Sequence, residues 1–227
     1  MKFLHLFNKS YSAAGFAKIQ GYEDIKDIVR RVLELDENYN LLFVGPPSSS
    51  KTLFLQGILE EKSGVYLDGS NTTNRILDVL QERRPKIICI DELDKMSKQF
   101  QERLLNFMES GHIDVEQQKK QYHFEIKGAK VFATCNEIKR LGKPLQSRFR
   151  KLFLPRFTEQ QFIEVSVKVL PKIGENMARY IGFTVFRSGG DIRDVISVGK
   201  LIRKGDGPQE VEWMINTMTK YCAKSEA

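Results

Sequence analysis

An eight-residue segment, GPPSSSKT at positions 45–52, constrains the fold of this chain more than any other part of its sequence. The apolar residues 41–44 before it predict a short buried strand, and the leucine and isoleucine residues that follow it predict a helix. A loop between a strand and a helix gathers backbone N–H groups at the positive end of the helix dipole, where they attract phosphate. The segment therefore predicts a phosphate-binding loop.

The residues of this loop have separate expected roles in holding a nucleoside triphosphate. Lys51 places a positive charge near the β and γ phosphates, and Thr52 supplies a hydroxyl oxygen for Mg²⁺. Serine stands at positions 48 and 50, where the usual loop has glycine, which tolerates unusual φ angles and lets phosphate approach closely. We expect nucleotide to bind nonetheless, because serine is small and adds a hydroxyl donor. The predicted nucleotide contacts are Gly45, Pro46, Pro47, Ser48, Ser49, Ser50, Lys51, Thr52 and Leu53.

A second informative segment lies at residues 87–92, where four apolar residues precede two adjacent carboxylates, Asp91 and Glu92. The apolar run predicts a buried strand that ends at the same edge of the sheet as the loop. Asp91 is then expected to hold Mg²⁺ through water, and Glu92 to orient and polarise the attacking water. Together the two segments predict a site that binds and hydrolyses ATP with Mg²⁺.

Strands that alternate with helices predict an α/β fold built on a five-stranded parallel sheet. After Pro155 the apolar positions recur only at helical spacing. We therefore predict an N-terminal segment (1–20), an α/β nucleotide-binding core (21–155) and a small all-helical lid domain (156–227). The predicted strands are residues 41–44, 65–67, 86–90, 129–135 and 151–154.

Residues 111–128 interrupt this alternation with two short runs in which apolar and polar residues alternate. Such a pattern predicts a β-hairpin, and its tip, QQKKQ at 117–121, is polar and basic. Lys119 and Lys120 are candidates for contact with nucleic-acid phosphates. A solvated hairpin tip explains the same residues, and both interpretations stay open at this point.

The composition of the chain limits its partners only loosely. A formal net charge of +7 and a pI near 9.2 favour an anionic partner such as nucleic acid, although a solvated basic surface has the same composition. Its three cysteines form no CxxC pair, which favours buried thiols in a reducing compartment. The apolar start is too short for a signal peptide or a membrane span. We therefore expect a cytoplasmic protein without a membrane partner.

The loop and the acidic strand, taken with three later segments, resemble the AAA+ ATPases, and the similarity extends over nearly the whole chain. VFATCN at 131–136 resembles the sensor 1 strand, which implies that Asn136 helps to place the lytic water. PLQSRF at 144–149 resembles the arginine-finger element, and GDIRD at 190–194 resembles the sensor 2 helix of the lid.

The resemblance further implies a ring, usually a hexamer, in which each subunit completes its neighbour's site. Arg148 would then act on the γ-phosphate held by the next subunit, and Arg193 would contact the nucleotide of its own subunit. Each residue also has a simpler interpretation. Asn136 fits a turn cap, Arg193 a salt bridge on the lid surface, and Arg148 a pair with a local carboxylate, which would leave Arg150 as the finger. Asp94 fits a helix cap better than a catalyst.

Within the AAA+ ATPases the chain is most similar to the RuvB-like motors, and the hairpin resembles the presensor 1 hairpin of DNA-translocating rings. This likeness implies ATP-driven remodelling of DNA, of the helicase or branch-migration type. The alternative is a protein remodeller or assembly chaperone like the MoxR ATPases, acting on a protein client or through an adaptor. An ATP-gated scaffold with weak turnover is a third, minor interpretation.

Overall fold

The computed structural model describes residues 15–17, 19, 21–47, 49–71, 75–117 and 120–222. The described chain divides into two compact units, of which the first ends at Pro155 and the second begins at Arg156. Most of the N-terminal segment predicted over residues 1–20 lies outside the described residues.

A five-stranded parallel sheet forms the centre of the first unit, which confirms the predicted fold class. Its strand order is β2-β3-β6-β1-β7, and each pair of neighbours runs parallel. The remaining two strands, β4 and β5, form a separate antiparallel hairpin. The strands of the first unit are β1 (Tyr39–Val44), β2 (Val65–Asp68), β3 (Ile87–Asp91), β4 (His112–Gln117), β5 (Lys120–Glu125), β6 (Lys130–Cys135) and β7 (Arg150–Phe153).

Helices cover both faces of this sheet, so its inner strands are apolar on both sides. On β1, Leu41 and Phe43 face a hydrophobic cluster with α2, whereas Leu42 and Val44 face a second cluster with α3 and α4. Phe43 stacks on Phe54 of α2 with ring centroids 5.0 Å apart. The helices are α1 (Glu23–Glu34), α2 (Lys51–Glu61), α3 (Arg75–Arg83), α4 (Lys98–Ser110) and α5 (Lys143–Ser147), with short 3₁₀ turns at Gly69–Asn71, Leu93–Lys95 and Ile138–Arg140.

The carboxyl ends of β1, β3 and β6 meet at one edge of the sheet. Val44, the last residue of β1, pairs with Cys135 at the end of β6, and Ile90 of β3 pairs with Ala133 of β6. The residues that follow these strands therefore lie side by side. Gly45 continues this pairing through a bond from its N–H to the Cys135 carbonyl. A Cβ at Gly45 would lie 2.6 Å from the Leu154 carbonyl oxygen, so the loop must begin with glycine.

The predicted hairpin is present and is attached to the body of the first unit. Ile113 of β4 and Phe124 of β5 are buried in the hydrophobic cluster that includes α3 and α4. The Tyr122 hydroxyl donates to Asp78 Oδ1 of α3 at 2.9 Å. The paired strands extend to Gln117 and resume at Lys120, so the connection is shorter than the predicted tip at 117–121. Residues 118 and 119 lie outside the described residues.

The second unit is helical, as the periodicity after Pro155 predicts. Its helices pack closely, because a Cβ at Gly182 of α7 would lie 2.5 Å from the Ser166 Oγ of α6. Asp191 begins α8 with a capping box, in which its side chain accepts the Asp194 N–H and Asp194 accepts the Asp191 N–H. In the part of the chain that the structure describes, no helix is long and apolar enough to cross a membrane. The helices are α6 (Glu159–Val169), α7 (Glu175–Arg187), α8 (Ile192–Leu201) and α9 (Pro208–Cys222).

Candidate nucleotide-binding site

The loop after β1 brings a strained residue to the first turn of α2. Ser50 has φ 63° and ψ 7°, in the left-handed region that L-residues other than glycine rarely adopt. It is the N-cap of α2, yet its side chain does not cap the helix. Ser49 is buried and donates its hydroxyl proton to the Pro46 carbonyl at 2.8 Å. Ser48 lies outside the described residues. The strain at Ser50 follows from serine at a position where the usual loop has glycine.

Lys51 is folded back against this loop. Its side-chain amine donates to the carbonyls of Gly45 at 2.9 Å and Pro46 at 2.6 Å, and to Ser49 Oγ at 3.2 Å. Burial lowers the pKa of Lys51, while the nearby Asp91 carboxylate acts in the opposite direction. These three bonds use the three donors of the ammonium group. A phosphate must therefore replace at least one of these loop acceptors when it contacts Lys51.

Asp91 is the centre of a hydroxyl cluster at the end of β3. Its Oδ2 accepts from Thr52 Oγ1 at 2.9 Å and from the Tyr66 hydroxyl at 2.7 Å. Its Oδ1 accepts from Thr134 Oγ1 at 2.5 Å. Burial and then the hydrogen bond to Asp91 raise the pKa of Tyr66, which keeps this phenol a donor. Thr52 and Asp91, predicted from separate segments, are thus in direct contact.

The oxygen atoms of Thr52 and Asp91 suit Mg²⁺, a hard cation that takes one or two protein oxygens together with substrate phosphates and water. A larger cage of protein ligands is not needed for such a site. Among the described residues there is no group of three or more His, Cys, Asp or Glu side chains arranged to hold a metal. The donor set therefore fits a metal that is bound jointly with a nucleotide.

Glu92 follows Asp91 in a second strained conformation, with φ 52° and ψ 48°. Its N–H donates to Thr134 Oγ1 at 2.8 Å, which fixes the backbone to β6. Its side chain accepts from Lys95 Nζ at 2.8 Å in a partly exposed ion pair. Strained residues of this kind concentrate at functional sites, where the surrounding contacts hold them. Glu92 thus lies beside the predicted metal ligand with a cation as its present partner.

Asp94 has a different role from the predicted helix cap. It is buried and accepts the backbone N–H groups of Asn136 at 3.3 Å and Glu137 at 3.0 Å. The prediction is wrong because a buried carboxylate needs several donors, which the turn after β6 supplies. Ser97 caps α4 instead, by accepting the Phe100 N–H. Asp94 thereby ties Asn136 to the strand end that carries Asp91.

Arg148 forms an ion pair with a local carboxylate, which is one of the two interpretations left open by the sequence. It follows α5, and both its Nε, at 3.0 Å, and its Nη2 donate to Glu109 Oε1 at the end of α4. Both side chains are partly exposed. Arg150, the other candidate, begins the edge strand β7 and is exposed.

Arg193 lies in the second unit, in the first turn of α8. Its side chain is 73% exposed, and its Nε is 3.6 Å from Asp191 Oδ2. The structure thus places Lys51, Thr52, Asp91, Glu92 and Asn136 at one edge of the sheet. Arg148 and Arg193 are paired with carboxylates elsewhere.

Two residues that bind Asp91 do not appear among the candidates from sequence, Tyr66 and Thr134. Both are hydroxyl residues near the carboxyl ends of otherwise apolar strands, on either side of β3. A polar residue in a buried strand needs a hydrogen-bond partner, and that need is the signal in the sequence that points to them. Their common partner depends on the strand order, which the sequence does not give.

A comparison with known protein families matches one of them to residues 41–156, which is about half of the chain. That family is the ATPase family associated with various cellular activities (AAA). The match includes the loop, both acidic residues and the segment through Arg148.

Individual relatives are more distant. The chain is 25% identical over 219 residues to replication factor C subunit 4 of Homo sapiens, covering 83% of this chain and 56% of that protein. It is also 25% identical over 219 residues to a putative 26S proteasome regulatory subunit homolog of Methanocaldococcus jannaschii, covering 81% and 57%. The chain thus spans little more than half the length of these relatives.

Among solved structures, the RuvB Holliday junction branch migration motor of Thermotoga maritima has a similar fold. The TM-score is 0.62 at 20% identity, over 87% of this chain and 69% of that chain. At this identity the similarity shows the fold alone.

The strain at Ser50 gives a prediction about stability. Ser50→Gly should raise the free energy of unfolding by about 0.5–1 kcal/mol, because glycine adopts the left-handed conformation without the steric cost. Ser50→Ala is the matched control, since it also removes the hydroxyl but keeps the Cβ, and it should give no such increase. Urea denaturation followed by circular dichroism measures both. Equal effects of glycine and alanine would show that backbone strain at this position is unimportant.

Proposed function

We propose that this chain, which belongs to the ATPase family associated with various cellular activities, binds ATP with Mg²⁺ and hydrolyses it to drive the remodelling of DNA. The observation that carries the proposal is the cluster at the sheet edge, where Lys51, Thr52, Asp91 and Glu92 come together. A lysine beside backbone amides, a hydroxyl and two acids supplies each kind of group that phosphoryl transfer from ATP requires.

In this proposal the first unit is the nucleotide-binding core and the second is the lid. The backbone from Gly45 to Leu53 surrounds the phosphates, and Lys51 exchanges its bonds to the loop carbonyls for phosphate oxygens. The exchange is feasible because the ammonium gives up neutral acceptors for charged ones, to which hydrogen bonds are stronger. Arg193 contacts the nucleotide from the lid.

Thr52 and Asp91 hold the metal in the same proposal, Asp91 through water. Bound there, Mg²⁺ would neutralise charge on the phosphate oxygens. The hydroxyls of Tyr66 and Thr134 keep Asp91 ionised and oriented, because hydrogen bonds to a carboxylate favour its charged form.

Glu92 and Asn136 act on the water that attacks the γ-phosphorus. As the water oxygen forms its bond to phosphorus, the bond from phosphorus to the β–γ bridging oxygen breaks, and ADP leaves with inorganic phosphate. The Glu92 carboxylate orients the water and accepts its proton. To do so it must leave Lys95, and this costs little because partly exposed ion pairs are weak, about 0–1 kcal/mol.

We propose further that the active form is a ring, usually a hexamer, in which Arg148 acts in the site of a neighbouring subunit. Head-to-tail contacts close into rings when the rotation between subunits permits. The guanidinium lies on a partly exposed pair with Glu109, so it is accessible to a second subunit at small cost. A cation that arrives from a neighbour would neutralise the charge that develops on the γ-phosphate.

DNA is proposed as the substrate because of the hairpin, the basic charge and the RuvB likeness. The hairpin projects a connection that includes Lys119 and adjoins Lys120, and the chain carries a net charge of +7. The RuvB of T. maritima, which has the same fold, is a Holliday junction branch migration motor. A basic hairpin that contacts successive phosphates would bind DNA without reading its sequence.

A protein client is the second candidate function. The observation that favours it is the similarity to a proteasome regulatory subunit homolog, which is as strong as the similarity to a replication factor C subunit. In that case the same ATP chemistry would drive remodelling of a protein, directly or through an adaptor.

The role of Glu92 is tested by Glu92→Gln. The amide cannot accept the proton, so we expect kcat to fall about 10²–10⁴-fold while ATP binding is retained. Glu175→Gln is the control, because it removes an exposed, ion-paired carboxylate in the second unit and should change neither quantity. Phosphate release and binding of a fluorescent ATP analogue measure the two effects. Turnover at the original rate would exclude Glu92 as the base.

The role of Arg148 in a neighbouring site is tested by mixing two inactive variants. Arg148→Ala and Lys51→Ala should each lose roughly 10³-fold in turnover. Their mixture should recover activity, because some sites then combine an intact Lys51 with an intact Arg148 from the next subunit. A mixture of Lys51→Ala with Glu92→Gln is the control and should stay inactive, since both residues belong to one subunit's site. No recovery in the first mixture would place Arg148 in its own subunit's site.

The hairpin is tested by replacing Lys119 and Lys120 with alanine. The dependence of DNA affinity on salt should become shallower by about 0.9 in the log–log slope for each lost phosphate contact. A Lys172→Ala/Lys204→Ala variant removes the same charge from the second unit and should keep the slope. Fluorescence anisotropy with junction and single-stranded DNA measures the slopes. An unchanged slope in the hairpin variant rejects its DNA contact, and ATPase stimulation by a protein but not by DNA favours the second candidate.

A further inference from the structure

Tyr66 approaches the proposed metal site from a strand that the phosphoryl-transfer roles do not use. It lies on β2, opposite Cys89 of β3, while Asp68 lies opposite Asp91. Tyr66 therefore starts two residues before Asp91 along the sheet, or about 6.6 Å at the usual rise per residue. The length of a tyrosine side chain covers this distance, and its hydroxyl reaches Asp91 Oδ2 at 2.7 Å.

The four printed donors to Asp91 match the acceptor capacity of a carboxylate. An ionised carboxylate has about four lone-pair positions. Thr52 and Tyr66 donate to Oδ2, and Thr134 and the Glu92 N–H donate to Oδ1. The three hydroxyls come from α2, β2 and β6, so the plane of the carboxylate is fixed from three directions.

The hydroxyl of Tyr66 differs from the other two in what else it is needed for. Thr52 is proposed as a metal ligand, and Thr134 also accepts the Glu92 N–H. The ring of Tyr66 packs against the hydrophobic cluster that includes α2, so its position is set independently of the nucleotide. This leaves orientation of the Asp91 carboxylate as the function that its hydroxyl serves.

We propose that Tyr66 is a positioning residue for the magnesium site, which acts by holding the Asp91 carboxylate in the orientation that binds the metal's water ligands. This inference rests on the proposed function, because it needs Asp91 to hold Mg²⁺. Hydrogen-bond donors to a metal-binding carboxylate typically change metal affinity or activity about 10–100-fold. Loss of the Tyr66 hydroxyl leaves Oδ2 with Thr52 as its remaining donor among these contacts and frees the carboxylate to rotate.

Tyr66→Phe tests the proposal, because it removes the hydroxyl and keeps the ring. Binding of a fluorescent ADP analogue to the full chain is measured as free Mg²⁺ is varied, and again in EDTA. We expect the half-saturating Mg²⁺ concentration to rise about tenfold, with binding in EDTA unchanged. Tyr180→Phe is the matched control, since the Tyr180 hydroxyl also donates to a carboxylate, Glu212, but in the second unit. It should leave the Mg²⁺ dependence as in the original protein.

Three outcomes would overturn the inference, and they are distinguishable. An unchanged Mg²⁺ requirement in Tyr66→Phe shows that the hydroxyl does not act on the metal. Equal weakening of binding with Mg²⁺ and in EDTA, together with a lower melting temperature, shows a merely structural role. Absence of nucleotide binding by the original protein at every Mg²⁺ concentration rejects the proposed function itself, and the inference with it.

Discussion

The buried carboxylate of Asp91 is the constraint on which the arrangement of the site depends. A buried charge is costly unless hydrogen bonds compensate it, and here the hydroxyls of Thr52, Tyr66 and Thr134 do so. These donors come from a helix and from the two strands that flank β3, so the strand order is needed to satisfy one side chain. The bonds that stabilise the folded state are therefore the same bonds that orient a group suited to hold a metal.

Three proposed catalytic charges have partners within the chain that a nucleotide or a second subunit would replace. Lys51 donates to loop carbonyls, Glu92 pairs with Lys95, and Arg148 pairs with Glu109. The latter two pairs are partly exposed and contribute about 0–1 kcal/mol each, so they exchange readily. Lys51 is 7% exposed, and its exchange is driven instead by the stronger bonds that an ammonium makes to charged oxygens. The internal partners thus keep each charge compensated without preventing its proposed use.

The sequence predicted the parallel sheet, the loop and the adjacent acids because each is encoded locally, by apolar runs and by the residues that end them. It did not predict that Tyr66 and Thr134 bind Asp91, because that contact depends on which strands lie beside β3. Asp94 was misassigned for a related reason. Its donors follow β6, far away in sequence, whereas helix caps are judged from neighbouring residues. Contacts between distant segments are thus where local reasoning stopped, even though every residue type involved was visible.

The hairpin is connected to the candidate site through continuous packing. Leu93 and Met96, which follow Glu92, belong to the same hydrophobic cluster as Ile113 and Phe124 of the hairpin. Protein interiors are close-packed, so a displacement of the segment after Glu92 must be accommodated by this cluster. The connection involves only core residues and is the same whether the hairpin acts on DNA or on a protein. The choice between these clients therefore depends on the chemistry of the hairpin surface, while the core supplies an ATP-dependent motion to either.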